Sequence, residues 1–327
     1  MKQVLFEKED VIKMISAGKR LILAGDEKNL LDLPAGQWIG GTIPFFMGEN
    51  GGIYTTEKIF VTEIPDYVKN ATIKVYNENN VSQVYNEAPH HGFSIIIIPA
   101  WSATHQTFAL NAPDFPGFAN RPLIGWIAGT AIENGQKPKI FDGTRSLPLE
   151  NGAVVMHVDL PANKTAEIDI INIFEQGKGD TITFPENGFS VTTACINGQP
   201  QNFAEYLHEK SIDTRLLLIT DLYGAKINIS FKNIDFEKKQ VNFYAPVFAG
   251  YRYKIASPVE DYFGSFLNLV PQDSGERAFF ACNCILNFLY AGLEGRKFGN
   301  FTGPITFGEI AYQLLNQTLV YLTIEDV

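Results

Sequence analysis

Apolar and polar residues alternate along most of the chain, and short apolar runs lie between glycine-rich turns. Alternation with a period of two is typical of β-strands that bury one face. The apolar run at 91–99 favours a strand that is covered on both faces. The pattern predicts strands at residues 20–25, 38–46, 57–64, 71–76, 91–99, 121–130, 139–143, 151–156, 167–174, 181–184, 216–221, 226–231 and 240–245.

Helical spacing is rarer. Apolar residues between positions 4 and 15 recur at helical intervals, and Gly18 ends that pattern. Further helices are predicted at 102–110, 203–210 and 261–270, with a helical turn capped by Asp26. Strands outnumber helices and short turns join many of them. The prediction is an α+β fold of mixed, largely antiparallel sheets covered by a few helices.

Three glycine-containing strand segments resemble one another. They are Ile39 to Phe45, Ile124 to Thr130, and Gly303 to Gly308. Two related halves would explain this echo, with chance as the alternative. A chain of 327 residues fits one very large domain or two ordinary ones. The expected division is a first part at 1–188 and a second at 189–327.

The last fifty residues carry the densest pattern. A buried strand begins at 276 and continues as an apolar run to 293. A glycine-rich crossing follows, and a second strand breaks at Gly308 and Glu309. Glycine inside a strand marks a bulge or a close approach of another backbone or a ligand.

Charge and composition narrow the class of partner. The net charge is −10 and the pI is near 5.1, which disfavours nucleic acid and anionic membranes as partners. The apolar run at 278–293 is shorter than the roughly 18–20 residues that span a bilayer. Three cysteines and the lack of a signal-peptide pattern indicate a reducing compartment, so we expect a cytoplasmic protein.

Glu309 is the first candidate for chemistry. Its carboxylate could bind the amine of a ligand or act as an acid or base. The alternative is a carboxylate that faces solvent at a strand bulge.

Cys282 and Cys284 point to one face of a strand, because they are two residues apart. They could be a nucleophile, a redox pair or soft-metal ligands, or simply small buried side chains. His90 and His91 could bind a metal or serve as a base, or be solvated in a turn. His157 has no sequence neighbour to act with and is expected to be structural.

The glycine strands could present backbone N–H groups to a ligand, and tryptophans could wall its pocket or pack in the core. The predicted ligand-contacting residues are Trp38, Gly40, Gly41, Thr42, Trp126, Cys282, Asn283, Gly308 and Glu309. No G-x-G-x-x-G, P-loop, G-x-S-x-G or H-E-x-x-H pattern occurs. We therefore assign no catalytic residue, metal or cofactor.

The order of these segments resembles the FIST domain, a bacterial sensory module with N-terminal and C-terminal parts. The similar segments are Trp38 to Thr42, Leu123 to Gly129, Phe141 to Gly143 with Asn151 to Val154, Ile196 to Pro200 with Ala204 to Leu207, Phe280 to Cys282, and Ile305 to Ile310. The resemblance covers almost the whole chain and implies sensing of amino acids or related metabolites. Such modules are often fused to an output domain, so a separate signalling protein is the expected partner here.

Three functions remain open from the sequence. The first is a small-molecule-binding sensory protein without its own output domain. The second is a structural or partner-binding subunit. The third is an enzyme that uses Cys282 as its nucleophile.

Overall fold

The computed structural model describes residues 3–131, 135–222, 224–271 and 273–327. Its mixed sheets and few helices confirm the predicted α+β class. Residue contacts divide the chain into two compact units. One contains residues up to 171, 266–314 and 318–327, and the other contains 172–265 and 315–317. The predicted boundary after residue 188 falls inside the second unit.

Three successive segments build the first unit. The first segment comprises β1 (Leu5–Phe6), α1 (Lys8–Ser16), β2 (Leu21–Gly25), α2 (Glu27–Leu30), β3 (Trp38–Thr42), β4 (Phe45–Gly48), β5 (Gly51–Tyr54) and β6 (Ile59–Glu63). The second comprises β7 (Asn70–Tyr76), β8 (Gly92–Pro99), α3 (Ala103–Asn111), β9 (Leu123–Ala128), β10 (Ile140–Asp142), β11 (Leu147–Leu149) and β12 (Ala153–Asp159), with 3-10 turns at Val81–Gln83 and Ala112–Asp114.

The third segment is longer because the second unit is inserted within it. It begins with β13 (Lys164–Ile171) and runs through β14 (Ile182–Thr183), β15 (Gly188–Val191), β16 (Thr193–Ile196), β17 (Gln199–Asn202), α4 (Phe203–Glu209), β18 (Leu218–Leu222), β19 (Ala225–Ile229), β20 (Phe231–Asp235), β21 (Gln240–Val247), β22 (Lys254–Ile255) and α5 (Tyr262–Leu269). It ends with α6 (Ser274–Arg277), β23 (Ala278–Cys284), α7 (Ile285–Tyr290), β24 (Gly303–Thr306), β25 (Glu309–Ala311), β26 (Gln313–Leu315) and β27 (Leu319–Asp326).

The strands of the first unit form three six-stranded sheets among the described residues. Sheet 1 has the order β1-β6-β2-β3-β10-β11, sheet 2 has β7-β12-β8-β9-β25-β26, and sheet 3 has β13-β27-β23-β24-β4-β5. In each sheet the two central strands are parallel. The strands that flank this pair run antiparallel to it.

The chain follows one route three times. It enters the outer strand of a sheet, forms the central parallel pair, leaves for a hairpin on another sheet, and returns beside the first strand. The hairpins are exchanged in a cycle: β4–β5 joins sheet 3, β10–β11 joins sheet 1, and β25–β26 joins sheet 2. The three echoing segments of the sequence fall at the fourth strand of each sheet. The repeat is therefore threefold, whereas the sequence predicted two related halves.

Two local predictions were wrong. The helix expected from residue 4 starts at Lys8, after the short strand β1 pairs with β6. The apolar run at 278–293 is a strand only as far as Cys284, and α7 follows directly. Apolar residues alone do not distinguish a buried strand from a buried helix, which explains the second error.

Within its described residues, the second unit contains three small sheets, with orders β14-β16-β17, β15-β21-β20 and β19-β18-β22. Phe174, Leu217, Ile219 and Ala256 form a core cluster in it. Asn202 caps α4 by accepting a hydrogen bond from Glu205 N, as expected for a helix that starts near this asparagine.

Candidate functional site

The three sheets can be aligned on one glycine in each fourth strand. A Cβ at Gly125 would lie 1.7 Å from Ile96 O, and one at Gly303 would lie 1.9 Å from Ala281 O, on the neighbouring parallel strand. Gly40 occupies the same place beside Leu23. Only glycine fits at positions 125 and 303, because a side chain there would collide with the backbone of the neighbouring strand.

The next residue in each fourth strand has a partner on the exchanged hairpin. Gly41 pairs with Ile140, and Pro304 pairs with Phe46. In sheet 2 the equivalent pair is Trp126 and Glu309. Ile140, Phe46 and Glu309 are all completely buried. A carboxyl group therefore occupies a position that is apolar in the other two copies. Buried polar groups, unlike exposed apolar ones, require an explanation.

The surroundings of Glu309 come from several strands. Trp126 lies beside it, stacks on Phe280 with ring centroids 5.7 Å apart, and faces β3. A Cβ at Gly41 would lie 3.2 Å from Trp126 Nε1 and 2.6 Å from a methyl carbon of Ile97. Glycine at position 41 thus leaves the space that the indole ring occupies.

One carboxyl oxygen of Glu309 is well satisfied and the other is not. Oε2 accepts hydrogen bonds from Thr318 N at 3.1 Å and from Thr318 Oγ1 at 2.8 Å. Within the described part of the chain, Oε1 has no partner, and neither has the neighbouring Trp126 Nε1. A buried polar atom without a hydrogen bond costs about 1–3 kcal/mol. Two such atoms on adjacent strands require an explanation.

The ionisation of Glu309 follows from its burial. Loss of solvation raises the pKa of the carboxyl group to about 8, although hydrogen bonds from Thr318 and the interaction with the Cys284 side chain oppose this rise. The Glu309 carboxyl group is therefore mostly a neutral acid at pH 7, and a nearby cation or a further donor would favour its ionised form.

The two thiols on β23 face this acid. Cys282 Sγ donates to Gly125 O at 3.2 Å and is 1% exposed. Burial raises the pKa of the Cys282 thiol well above its usual value, and Glu309 and Cys284 add to the rise. Since the thiolate is the nucleophile, this environment does not activate Cys282.

Asn283 lies on the opposite face of β23 from the thiols. Its Oδ1 accepts from Cys284 N at 2.8 Å and from Asn287 Nδ2 at 2.7 Å. Its Nδ2 is buried without a partner among the described residues. Asn283 and Cys282 line a cleft together with Met47, Ala281, Phe298, Phe301, Thr302, Gly303, Pro304 and Leu319. The cleft encloses about 10 Å³, room for about one water molecule and not for an amino acid.

The structure brings together some of the predicted site residues. Gly41, Trp126, Cys282 and Glu309 surround one interior region. Gly308 is also there, at the predicted bulge. Ile127 donates to Gly308 O and accepts from Phe307 N, so two residues of one strand oppose a single residue of the other.

The remaining predicted residues lie elsewhere. Trp38 is packed in a core cluster with α1, and its Nε1 donates to Pro34 O at 2.9 Å. Gly40 points to the face of β3 opposite Gly41. Thr42 Oγ1 accepts from Lys139 N at 2.9 Å, and Asn283 faces the small cleft.

Sequence reasoning did not find Thr318. Its role depends on the return of the chain from the β25–β26 hairpin to β27, which places it against Glu309. No local motif marks that contact.

A second buried polar network crosses strands β8, β12 and β7 of sheet 2. Ser94 Oγ is 2.7 Å from His157 Nδ1, and His157 Nε2 is 2.8 Å from the Tyr76 hydroxyl. Tyr76 donates to Glu87 at 2.6 Å. Since an ionised carboxylate only accepts, the order of donors runs from Ser94 through His157 and Tyr76 to Glu87. Ser94 is completely buried, so this network ties strands together, as expected for a structural His157.

The fold and the site together define an α+β protein with three copies of one sheet topology and a completely buried glutamate, Glu309, in one of them. The model of a family of unknown function (DUF6976) matches residues 6–325, and the chain belongs to that family. No curated protein matches the chain. This family match does not bear on the resemblance to the FIST domain, which stays a prediction. Among the described residues, every helix is too short or too polar to cross a bilayer.

Proposed function

We propose that this chain is a small-molecule-binding protein of the sensory type, whose ligand places a protonated amine against Glu309. The observation that carries the proposal is the unpartnered Oε1 of Glu309 at a position that is apolar in the other two copies. An ammonium group would supply the missing donor and stabilise the ionised carboxylate. Amino acids and related amines have this group.

The neighbouring indole N–H supports a ligand with two polar ends. Trp126 Nε1 is a donor without an acceptor, directly across the strand pair from Glu309. A ligand with an ammonium group and a hydroxyl or carbonyl oxygen would satisfy both atoms. The proposal includes a separate signalling protein as the receiver and a reducing compartment such as the cytoplasm, in keeping with three free cysteines.

Calorimetry with n-butylamine tests the proposal through its proton balance. The carboxyl pKa of about 8 means that roughly nine-tenths of the sites hold a proton at pH 7. Binding of an ammonium group must then release about 0.9 proton per site at pH 7. The release is measured as the dependence of the binding enthalpy on the ionisation enthalpy of the buffer. Affinity should rise with pH until about pH 8.

Glu309→Gln is the decisive variant, and Glu57→Gln is its control because Glu57 is an exposed carboxylate paired with Lys28. Glu309→Gln should lose binding at least about tenfold, the effect of one charge-assisted hydrogen bond, and should release no proton. Equal affinity of the wild type and Glu309→Gln would overturn the proposal, as would binding without proton release.

A partner-binding function is a second candidate, supported by a patch of exposed apolar side chains. Ile53 and Tyr54 on β5 are 39% and 47% exposed, and Leu289 and Tyr290 at the end of α7 are 49% and 38% exposed. The Phe45 ring contacts both Tyr54 and Phe288, which connects the two elements. Contiguous apolar patches mark interaction surfaces. Sedimentation of the wild type and of Tyr54→Ser with Leu289→Ser tests for self-association through this patch.

A cysteine-dependent enzyme has the least support. Cys282 is buried, donates to a backbone carbonyl, and has a raised pKa. No histidine is recorded in contact with it among the described residues.

A further inference from the structure

Thr318, which donates two hydrogen bonds to Glu309 Oε2, is itself held by the helix α7. Its carbonyl oxygen accepts from Asn287 Nδ2 at 3.1 Å and, at the longer distance of 3.3 Å, from Cys284 N. Cys284 N lies closer to another acceptor, Asn283 Oδ1, at 2.8 Å. Asn287 Nδ2 carries two hydrogens and also donates to Asn283 Oδ1, at 2.7 Å. It can therefore serve Thr318 with one hydrogen and Asn283 with the other.

These contacts form one chain of hydrogen bonds in the interior. It runs from Asn283 through Asn287 to the carbonyl group of Thr318, and from the N–H and hydroxyl groups of Thr318 to Glu309. All four residues are buried, and none is more than 4% exposed. Water does not replace a missing donor at such a depth, so the loss of one member leaves its buried partners unsatisfied.

The turn that leads into Thr318 is not one that the backbone prefers. Gln317, directly before it, has a φ angle of +51°, in the left-handed region that disfavours residues other than glycine. A backbone in this region persists when its surroundings hold it there. The place of Thr318 therefore depends on contacts from other elements, and α7 supplies one of them through Asn287.

The first repeat has the same asparagine contact. Gly25 in sheet 1 and Asn283 in sheet 3 are equivalent, because each pairs with the first residue of the returning strand. Asn29 and Asn287 lie four residues further on, and Asn29 Nδ2 donates to Thr56 O at 2.7 Å. An asparagine that holds the returning chain is thus common to two repeats. In the third repeat the residue that it holds also donates to a buried carboxyl group.

We infer that Asn287 is a positioning residue for the Glu309 site: it holds Thr318 so that the N–H and hydroxyl groups of Thr318 face the carboxyl group and favour its ionised form. This inference rests on the proposed function, because it concerns the same carboxyl group. The titratable groups recorded against Glu309 in the described chain are the thiols of Cys282 and Cys284, and the test leaves both unchanged.

A carbon-13 NMR titration of the glutamate carboxyl carbons, without any amine, tests the inference. The hydrogen bonds from Thr318 lower the pKa of Glu309, so their loosening in Asn287→Leu should raise its midpoint by about half a pH unit or more. Asn29→Leu is the matched control: it loses the equivalent contact with Thr56 and some stability, but should leave the midpoint unchanged. Equal midpoints in the wild type and Asn287→Leu would overturn the inference, as would an equal rise in both variants.

The wild type alone gives a second readout. The side-chain amide nitrogen of Asn287 should change its chemical shift with the same midpoint as Glu309, because Thr318 connects the two. The amide nitrogen of Asn29 should not follow that titration. An Asn287 signal that stays constant while Glu309 titrates would overturn the inference, even if Asn287→Leu does not fold.

Calorimetry with n-butylamine separates this inference from the proposed function. A midpoint that is higher by about half a pH unit leaves about threefold fewer ionised sites at pH 7. Asn287→Leu should therefore bind the amine about threefold more weakly than the wild type, and equal affinities would contradict the role of Asn287. Absence of binding to the wild type would overturn the proposed function, whereas the two titrations contain no amine and still decide whether Asn287 acts on Glu309.

Discussion

Glu309 lies directly opposite Trp126 in the antiparallel pairing of β25 with β9, and each side chain has one buried polar atom without a partner in the described chain. The same fold position holds Ile140 in one repeat and Phe46 in the other. The chain therefore contains its own comparison. Two repeats have an apolar side chain at this position, whereas the third repeat has a carboxyl group there.

The first prediction concerns stability in mildly alkaline conditions. The folded-state pKa of Glu309 is raised from 4.5 to about 8, so the folded protein holds this proton more tightly than the unfolded chain. The protonated Glu309 carboxyl group therefore contributes fully to the free energy of unfolding below pH 4.5, and this contribution is lost as pH rises towards 8. Between pH 4.5 and 7 the loss is about 3 kcal/mol. Glu309→Gln keeps an acceptor for Thr318 but does not titrate.

Urea unfolding of both proteins at pH 5, 6, 7 and 8 checks this sign. The free energy of unfolding of the wild type should fall relative to that of Glu309→Gln as pH rises. Parallel curves for the two proteins across this range would show that Glu309 has an ordinary pKa.

The second prediction has the opposite sign. Burial lowers the pKa of His157 from 6.5 to about 4; the nearby Lys74 also lowers it, and Glu87 opposes the shift. The buried neutral imidazole of His157 therefore contributes to the free energy of unfolding fully above pH 6.5. This contribution, about 3 kcal/mol, is lost as pH falls towards 4. His157→Gln should be less stable at pH 7, because Ser94 and Tyr76 lose their common partner.

Between pH 6.5 and 4, the free energy of unfolding of His157→Gln should decrease less than that of the wild type. His90→Gln is the control, since His90 is exposed and bonds only to Arg121 among its recorded side-chain contacts. An equally steep acid transition in His157→Gln and the wild type would contradict the prediction.

Gly41 provides a test of the interior packing. Alanine at this position would place a Cβ 2.6 Å from a methyl carbon of Ile97, and over-packing of this kind costs typically about 1–3 kcal/mol. Gly25→Ala on the neighbouring strand is the matched control, because its Cβ would meet Ile59 and Leu30 at ordinary distances of 3.5 Å. Thermal melting should show a clear loss for Gly41→Ala and little change for Gly25→Ala. A larger loss of melting temperature for Gly25→Ala than for Gly41→Ala would mean that β3 does not pack closely against Trp126.

Cysteine reactivity checks the environment of β23. Cys195 is half-buried, whereas Cys282 and Cys284 are buried. Iodoacetamide at pH 7 should modify Cys195 first and leave the other two intact in the folded protein, as read by mass spectrometry of peptides. Faster modification of Cys282 than of Cys195 would revive the enzyme hypothesis.

The sequence predicted much of the strand content and one part of the site. Alternation placed β7 well, because alternation of apolar and polar residues is a local property of the sequence. The glycine-containing segments pointed to a repeat and to the region of Gly41, Trp126 and Glu309. The cyclic exchange of hairpins could not be predicted, because it depends on pairing between strands far apart in the chain.

Trp38 shows the limit of motif similarity. Residues 38–42 and 126–130 read Trp-Ile-Gly-Gly-Thr and Trp-Ile-Ala-Gly-Thr. Register, however, aligns Trp126 with Gly41, and the two tryptophans have unlike surroundings: Trp38 packs with α1 and Trp126 with Phe280. A shift of three residues reverses the face of a strand, so likeness in sequence did not mean likeness in place.

The central claim is that the Glu309 carboxyl group is a neutral acid at physiological pH, ready to ionise when a cation arrives. A carbon-13 NMR titration of protein labelled at the glutamate side-chain carboxyl carbon, with the signal assigned by its loss in Glu309→Gln, measures this directly. We expect a midpoint near pH 8. A midpoint near 4.5, where ordinary glutamates titrate, would contradict the account.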